Sequence, residues 1–242
     1  MSLPLKLMVF VAADGWSLAT LQRDLSAFYA RETGIAVTLP PPPARTFAQV
    51  AAERRAFGAS AAGRAMVARW AERLTPPSPP LTVPTDRPRL PLWSFRGAET
   101  VHRFNPGLSG ALLELARTEG ATPFTLVTAL VTAFLARLTG QTDVTVGTLV
   151  SGRAQPDLAE VVGFLVNTLV LRRDLTGNPG FRRHLAETKS ECLRAIADQD
   201  CPFEALVDAL AARREPGRNP LFDILVAWQD AEAVLPTLPG VT

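Results

Sequence analysis

The stretch from Leu5 to Ser17, Leu-Lys-Leu-Met-Val-Phe-Val-Ala-Ala-Asp-Gly-Trp-Ser, constrains the fold more than any other part of the chain. It is a largely apolar run of strand-forming residues with the length of a buried strand. Asp14-Gly15 then predicts a turn, because glycine tolerates positive φ and aspartate bonds its own backbone. Ser17 is placed to N-cap a following helix. A strand that feeds a tight polar turn and a helix is a common way to present catalytic groups. Here the last strand positions, Val9 and Phe10, carry nothing that titrates.

The rest of the chain alternates between helical and strand-like patterns. Leu18, Leu21, Leu25, Phe28 and Tyr29 fall at helical spacing, and Gly34 is placed to end that helix in the left-handed conformation. A polyproline stretch, Pro40 to Pro43, precedes a weaker helical pattern from Phe47 to Phe57. A firmer pattern puts Met66, Val67, Trp70 and Leu74 on one face. The proline-rich connector from Pro76 to Pro91 excludes helix and central strand, and the lobe boundary is placed there, giving residues 1–92 and 93–242.

Beyond it, Glu99 to Phe104 suits a strand, and Leu108, Leu112 and Leu115 a helix closed by Gly120. Thr122-Pro123 opens a broad-faced helix that ends at Gly140. Asp143 to Val150 reads as a strand. Val161 to Arg172 is a second apolar run, interrupted by Asn167. Asn178-Pro179 opens a helix carrying Phe181, Leu185, Thr188, Cys192 and Ile196. A further helix runs to Leu210, and Phe222 to Trp228 is a last strand. This alternation predicts an α/β layered fold with strands covered on both faces. Glu99 to Thr242 is expected to be better ordered than Pro40 to Gly63.

Composition narrows the function. At 47% hydrophobic over 242 residues the chain has ample material for a core, and no apolar run is long enough to cross a bilayer. No signal-peptide pattern opens the sequence, so a soluble cytoplasmic protein with no membrane contact is expected. The 25 basic and 23 acidic residues leave a formal charge of +2, too balanced to argue for nucleic acid. Cys192 and Cys201 form no CxxC pair, so they read as buried free thiols and no metal site is expected. His102, in the expected strand, and His184, expected on a solvent-facing helix surface, are the only histidines.

Five stretches in register carry a resemblance. Asp14-Gly15-Trp16-Ser17 resembles the end of a His-His-x-x-x-Asp-Gly-Trp-Ser signature. Trp70 with Pro84-Thr85-Asp86-Arg87-Pro88 is similar to a bridge between lobes. Val162 to Thr168 resembles a Gly-x-Phe-Val-Asn-Thr motif, Gln199 to Glu204 a Gln-Asp-x-Pro-Phe-Glu motif, and Arg218 to Leu221 an Arg-Asn-Pro-Leu motif. Together they resemble condensation domains of nonribosomal peptide synthetases. The resemblance implies a chloramphenicol acetyltransferase-like fold with a reduced N-terminal lobe and a fuller C-terminal lobe. The departures are Val9 and Phe10 at the two signature histidines, a degraded motif at Thr46 to Ala51, and a chain that begins at the signature strand and stops soon after Trp228.

Such domains join two carrier-bound substrates, an amine attacking a thioester beside the second signature histidine. A general base must reach the proton it removes, and Phe10 has no acceptor. The resemblance therefore implies an element of peptide assembly whose degenerate motif, Val9, Phe10, Asp14 and Gly15, leaves no confident catalytic residue. The alternative is an active amide-forming transferase that works by positioning alone. By resemblance Asp14 is structural and pairs with an arginine, for which Arg153 is the candidate. Trp16 and Asn167 line the substrate tunnel, although a buried structural amide explains Asn167 equally well. The arginines near the end of the chain, including Arg182, Arg183 and Arg218, are either a solvated face or a docking surface for an acidic carrier protein. The implied partners are a peptidyl carrier protein with its phosphopantetheine arm, other synthetase domains, a second copy or a complementary half-domain. No bound cofactor is expected.

Overall fold

In the computed structural model, residues 12–90, 92, 96–211, 215, 217–229 and 238 are described. Val9 and Phe10, and most of the strand expected from Leu5, lie outside them. Packing divides the chain into two compact units, residues 1–63, 150–167 and 229–242 in the first and residues 64–149 and 168–228 in the second. The division by packing therefore falls between Gly63 and Arg64, not in the proline-rich connector.

In the first unit α1 (Gly15–Glu32) begins three residues earlier than expected. Asp14 is extended and caps it, accepting a hydrogen bond from Ser17 N–H, so Asp14-Gly15 opens a helix and Ser17 is its third residue. The cause is geometric: a carboxylate oxygen reaches the third amide of a nascent helix as well as a serine does. Gly34 follows with φ 81°. The leucine face of α1 is open: Leu18, Leu21, Leu25 and Phe28 are 37–52% exposed.

The weaker helical pattern expected from Phe47 to Phe57 forms α2 (Phe47–Ala59), which begins with a full capping box between Thr46 and Gln49. Val50 on α2 packs with Leu158, Val161 and Leu165, and these four make the unit's core cluster. Three of them come from the 150–167 segment, which holds one short 3₁₀ turn, Pro156–Leu158. The strand expected from Val161 is thus a loop over its first six residues, with Val161, Gly163 and Leu165 buried. Local bonds to Asp14, Ser17 and Arg153 compete there with sheet pairing.

The second unit contains α3 (Ala61–Leu74) from Arg64 onward, α4 (Pro106–Thr118), α5 (Pro123–Thr139), β1 (Asp143–Val150) as far as Leu149, β2 (Asn167–Asp174) from Thr168, α6 (Phe181–Ala197) and α7 (Phe203–Ala209). Thr122 caps α5 with proline at the first turn, and Gly140 closes it in the left-handed region, where a Cβ would be strained. Ala116, Leu126, Ala129 and Leu185 from α4, α5 and α6 form its helical core. Trp70 is 1% exposed; its indole N–H donates to Asp198 O at 3.0 Å, and Arg73 stacks over the ring at 4.1 Å.

The sheet is small. Leu175 N–H donates to Thr142 O, so the end of β2 lies beside the start of β1 and the pair is antiparallel. The expected strand Phe222 to Trp228 is reduced to one parallel bridge between Leu225 and Gly147. Glu99 to Phe104 is not a strand: Val101 and Phe104 are 72% and 60% exposed and no described residue pairs with them in a sheet. Asn178 does not cap α6. It takes φ 49° in a turn, and Gly180 precedes the helix without a side-chain cap.

Candidate functional site

The site that the sequence points to is a buried polar knot in the first unit. Asp14 and Arg153 pair at 2.7 Å with side chains 2% and 5% exposed. One carboxylate oxygen of Asp14 accepts from Ser17 N–H at 3.0 Å and from the Ser17 hydroxyl at 2.9 Å. The other accepts from Arg153 Nη1 and from the backbone N–H groups of Leu165 at 2.9 Å and Val166 at 3.2 Å. A carboxylate offers roughly four lone-pair positions, so five donors leave none vacant.

Arg153 binds the other side of the same loop. Its Nη2 donates to Val161 O at 2.9 Å, Gly163 O at 3.2 Å and Ser17 Oγ at 3.0 Å. Ser17 Oγ also accepts from Gly163 N–H at 3.0 Å. Gly163 is required by close approach, because a Cβ there would overlap the Phe47 ring. Arg54 on α2 donates to Leu165 O and Gly152 O and fastens the loop from outside. Neither Ser17 as a loop tie nor Arg54 was anticipated. Ser17 gave a partial signal as a capping residue, whereas Arg54 sits in an unremarkable surface pattern.

Electrostatics agree with the geometry. Burial alone would push the Asp14 carboxyl up. The Arg153 guanidinium, followed by the Leu165 and Ser17 amides and the Ser17 hydroxyl, outweighs it and holds the group below the usual carboxylate range. Such a group stays ionised and does not take a proton from a neutral amine. What the arrangement does is hold residues 151–166 against the start of α1.

The remaining predicted residues are placed as follows. Gly15 opens α1, and Trp16 beside it is 46% exposed; Phe164, between the two loop residues bonded to Asp14 and Ser17, is 48% exposed. Asn167 is half-buried and opens β2. Arg182 and Arg183, 79% and 77% exposed, pair with Glu119 at 3.0 Å and Glu187 at 2.9 Å in the second unit. Arg218 lies 3.7 Å from Asp223.

Both histidines depart from expectation. His102 is exposed and meets Phe104 edge-on. His184 is buried, 1% exposed, with Nε2 at 3.0 Å from both Ala129 O and Thr132 Oγ1. A carbonyl cannot donate, so Nε2 carries the proton. Nδ1 then has a buried lone pair with no partner among the described residues. Burial is the main cause that lowers its pKa. Burial likewise pushes each thiol, Cys192 and Cys201, up to about 11. Among the described residues no cluster of histidine, cysteine or carboxylate is disposed to hold a metal ion, and no single helix is long and apolar enough to cross a membrane.

Comparison with known proteins places this architecture. A probable non-canonical nonribosomal peptide synthetase of Salinispora arenicola is 41% identical over 236 residues, covering 96% of this chain and 3% of that protein. The isonitrile lipopeptide synthase of Mycobacterium tuberculosis is 38% identical over 225 residues, covering 91% of this chain and 9% of the synthase. Among solved structures, the complex of the X-domain and OxyB from teicoplanin biosynthesis matches with a TM-score of 0.82 and 27% identity, covering 93% of this chain and 51% of that one. The chain thus spans a small part of these synthetases and about half of the solved chain. These neighbours share the α/β condensation-domain fold expected from the sequence motifs. The Condensation domain family matches residues 11–234, and with nearly the whole chain inside that match the protein belongs to the condensation domain family.

Proposed function

We propose that this chain is a condensation-domain element of nonribosomal peptide biosynthesis that does not itself condense substrates and acts by contacting a carrier protein or another synthetase component. The observation that carries the reading is the saturation of Asp14. The one acid of the signature turn is spent on five structural hydrogen bonds. The positions before it, Val9 and Phe10, hold no proton acceptor. General-base catalysis needs a group with a vacant lone pair and a pKa near the working pH, and Asp14 has neither.

The relatives that match are nonribosomal peptide synthetases, and the X-domain neighbour is in complex with OxyB, which supports contact with a partner as the role. In this reading residues 1–92 belong to the N-terminal lobe and residues 93–242 to the C-terminal lobe. The partner brings the phosphopantetheine arm, and the chain holds no cofactor of its own. Arg182 and Arg183 offer a guanidinium surface for an acidic carrier; their pairs with Glu119 and Glu187 are exposed and exchange readily for phosphate or carboxylate partners.

Titration of the chain into a holo peptidyl carrier protein from a neighbouring synthetase module, followed by NMR, tests this. Saturable binding near about 10 μM, weakened at least about fivefold by Arg182→Glu with Arg183→Glu, is expected. Absence of binding to any such carrier or synthetase domain contradicts the reading.

A further inference from the structure

A cavity of about 410 Å³ opens entirely within the second unit. Its size is that of a small-molecule pocket, for which roughly 300–1,000 Å³ is usual. Pro77, Pro79, Pro80 and Pro220 form its walls with the Phe222 ring, and Val170 lies in its lining. Prolines lock φ, so these walls are set before any ligand arrives.

Two adjacent side chains in the lining keep donors that make no hydrogen bond among the described residues. Asn219 uses its amide oxygen on Leu221 N–H at 3.2 Å, and its amide nitrogen has no partner among the described residues. The Arg218 side chain makes no hydrogen bond among them either. Its nearest acid, Asp223, is 3.7 Å away, beyond hydrogen-bond range. Asp223 accepts from Leu81 N–H at 3.1 Å through one oxygen and faces Arg89 at 3.2 Å with the other, which has no hydrogen-bond partner among the described residues. Arg218 is therefore a partly buried guanidinium with one long ion pair to Asp223 and no hydrogen bond among the described residues, beside an amide donor, in a pocket whose proline and Phe222 walls are interrupted by Ser78, Thr145, Glu215 and Asp223.

We propose that this pocket binds a small organic acid with an apolar body. Arg218 and Asn219 take the carboxylate, and the hydrocarbon part lies against the prolines and Phe222. A guanidinium fork matches a carboxylate in two parallel bonds. Phosphate fits less well, because it brings up to two charges to one guanidinium that already faces Asp223 and has no apolar part for the walls. Two carboxylates in the lining, the exposed Glu215 and Asp223 with its buried side chain, limit how much negative charge the pocket accepts. The proposal rests on this unit's geometry and not on the condensation reading.

Calorimetric titration of the full chain with phenylacetate at neutral pH is the test. Saturable single-site binding is expected. Arg218→Gln, with its fold checked by circular dichroism, should weaken it at least about tenfold, and the uncharged isostere phenylacetamide should bind at least about tenfold more weakly to the unaltered chain. Inorganic phosphate should not displace phenylacetate. The amide comparison stands even if Arg218→Gln fails to fold. No saturable heat up to about 10 mM, equal affinity for acid and amide, equal affinity in a folded Arg218→Gln variant, or displacement by phosphate would each overturn the proposal.

Discussion

Arg153 and Asp14 form an almost completely buried ion pair at 2.7 Å, across 139 residues of sequence, and the loop from Ser151 to Val166 hangs on it. Desolvating two charges offsets much of their attraction, so the pair contributes geometry more than stability. Removing one partner is different. Arg153→Met strands a buried carboxylate and should cost about 3–5 kcal/mol in denaturant unfolding. The double variant Arg153→Met with Asp14→Leu should cost clearly less than the two single changes summed, because no charge is left unpaired. Full additivity in that cycle would show that the pair does not act as a unit.

His184 makes stability depend on pH. Its folded pKa lies below its ordinary value, mainly through burial, so the folded state prefers the neutral ring. The stability it contributes is fully present above about pH 6.5, the unfolded value, and is lost as pH falls toward the folded pKa. Arg173, on β2, adds to the depression, whereas the bond to Ala129 O and the charge of Glu187 oppose it. Unfolding free energy should fall by up to about 1.4 kcal/mol per pH unit below that point. In His184→Gln, which keeps an N–H for Ala129 O, this part of the slope should vanish. An unchanged slope would assign it to other groups.

Cys192 and Cys201 should be inert in the native state. With each thiol pushed up to about 11 by burial, roughly one thousandth is thiolate at pH 8. Labelling by a thiol-specific disulfide reagent at that pH should therefore track global unfolding, with both groups reacting together in denaturant. Rapid labelling of either one in the folded chain would mean that its shell opens locally.

Much of the second unit was legible because its signals are local and agree with one another. Thr122-Pro123 and Gly140 bracket α5 as their chemistry requires, and Asp143 to Val150 is a strand over the expected residues. The errors came where distant residues decide. Val161 to Val166 has a strand's composition, yet Asp14 and Ser17, nearly 150 positions away, take its amides. His184 was assigned to solvent from its neighbour Arg183. The usable signal was its spacing: His184, Thr188 and Cys192 recur every fourth residue, and all three are buried. The leucine face of α1 was legible as a stripe, but not that the described structure leaves it open. The pairing of Asp14 with Arg153 came from family resemblance; no local pattern in the sequence joins them.

The proposed role requires that no group in this domain accept a proton from an attacking amine. The most direct measurement incubates the chain with an aminoacyl-loaded donor carrier protein and an amine-bearing acceptor carrier, with product followed by intact-protein mass spectrometry. No amide above the rate without the chain is predicted across pH 6 to 9, since Asp14 stays ionised and fully bonded throughout that range. Protein-dependent amide formation would contradict the account.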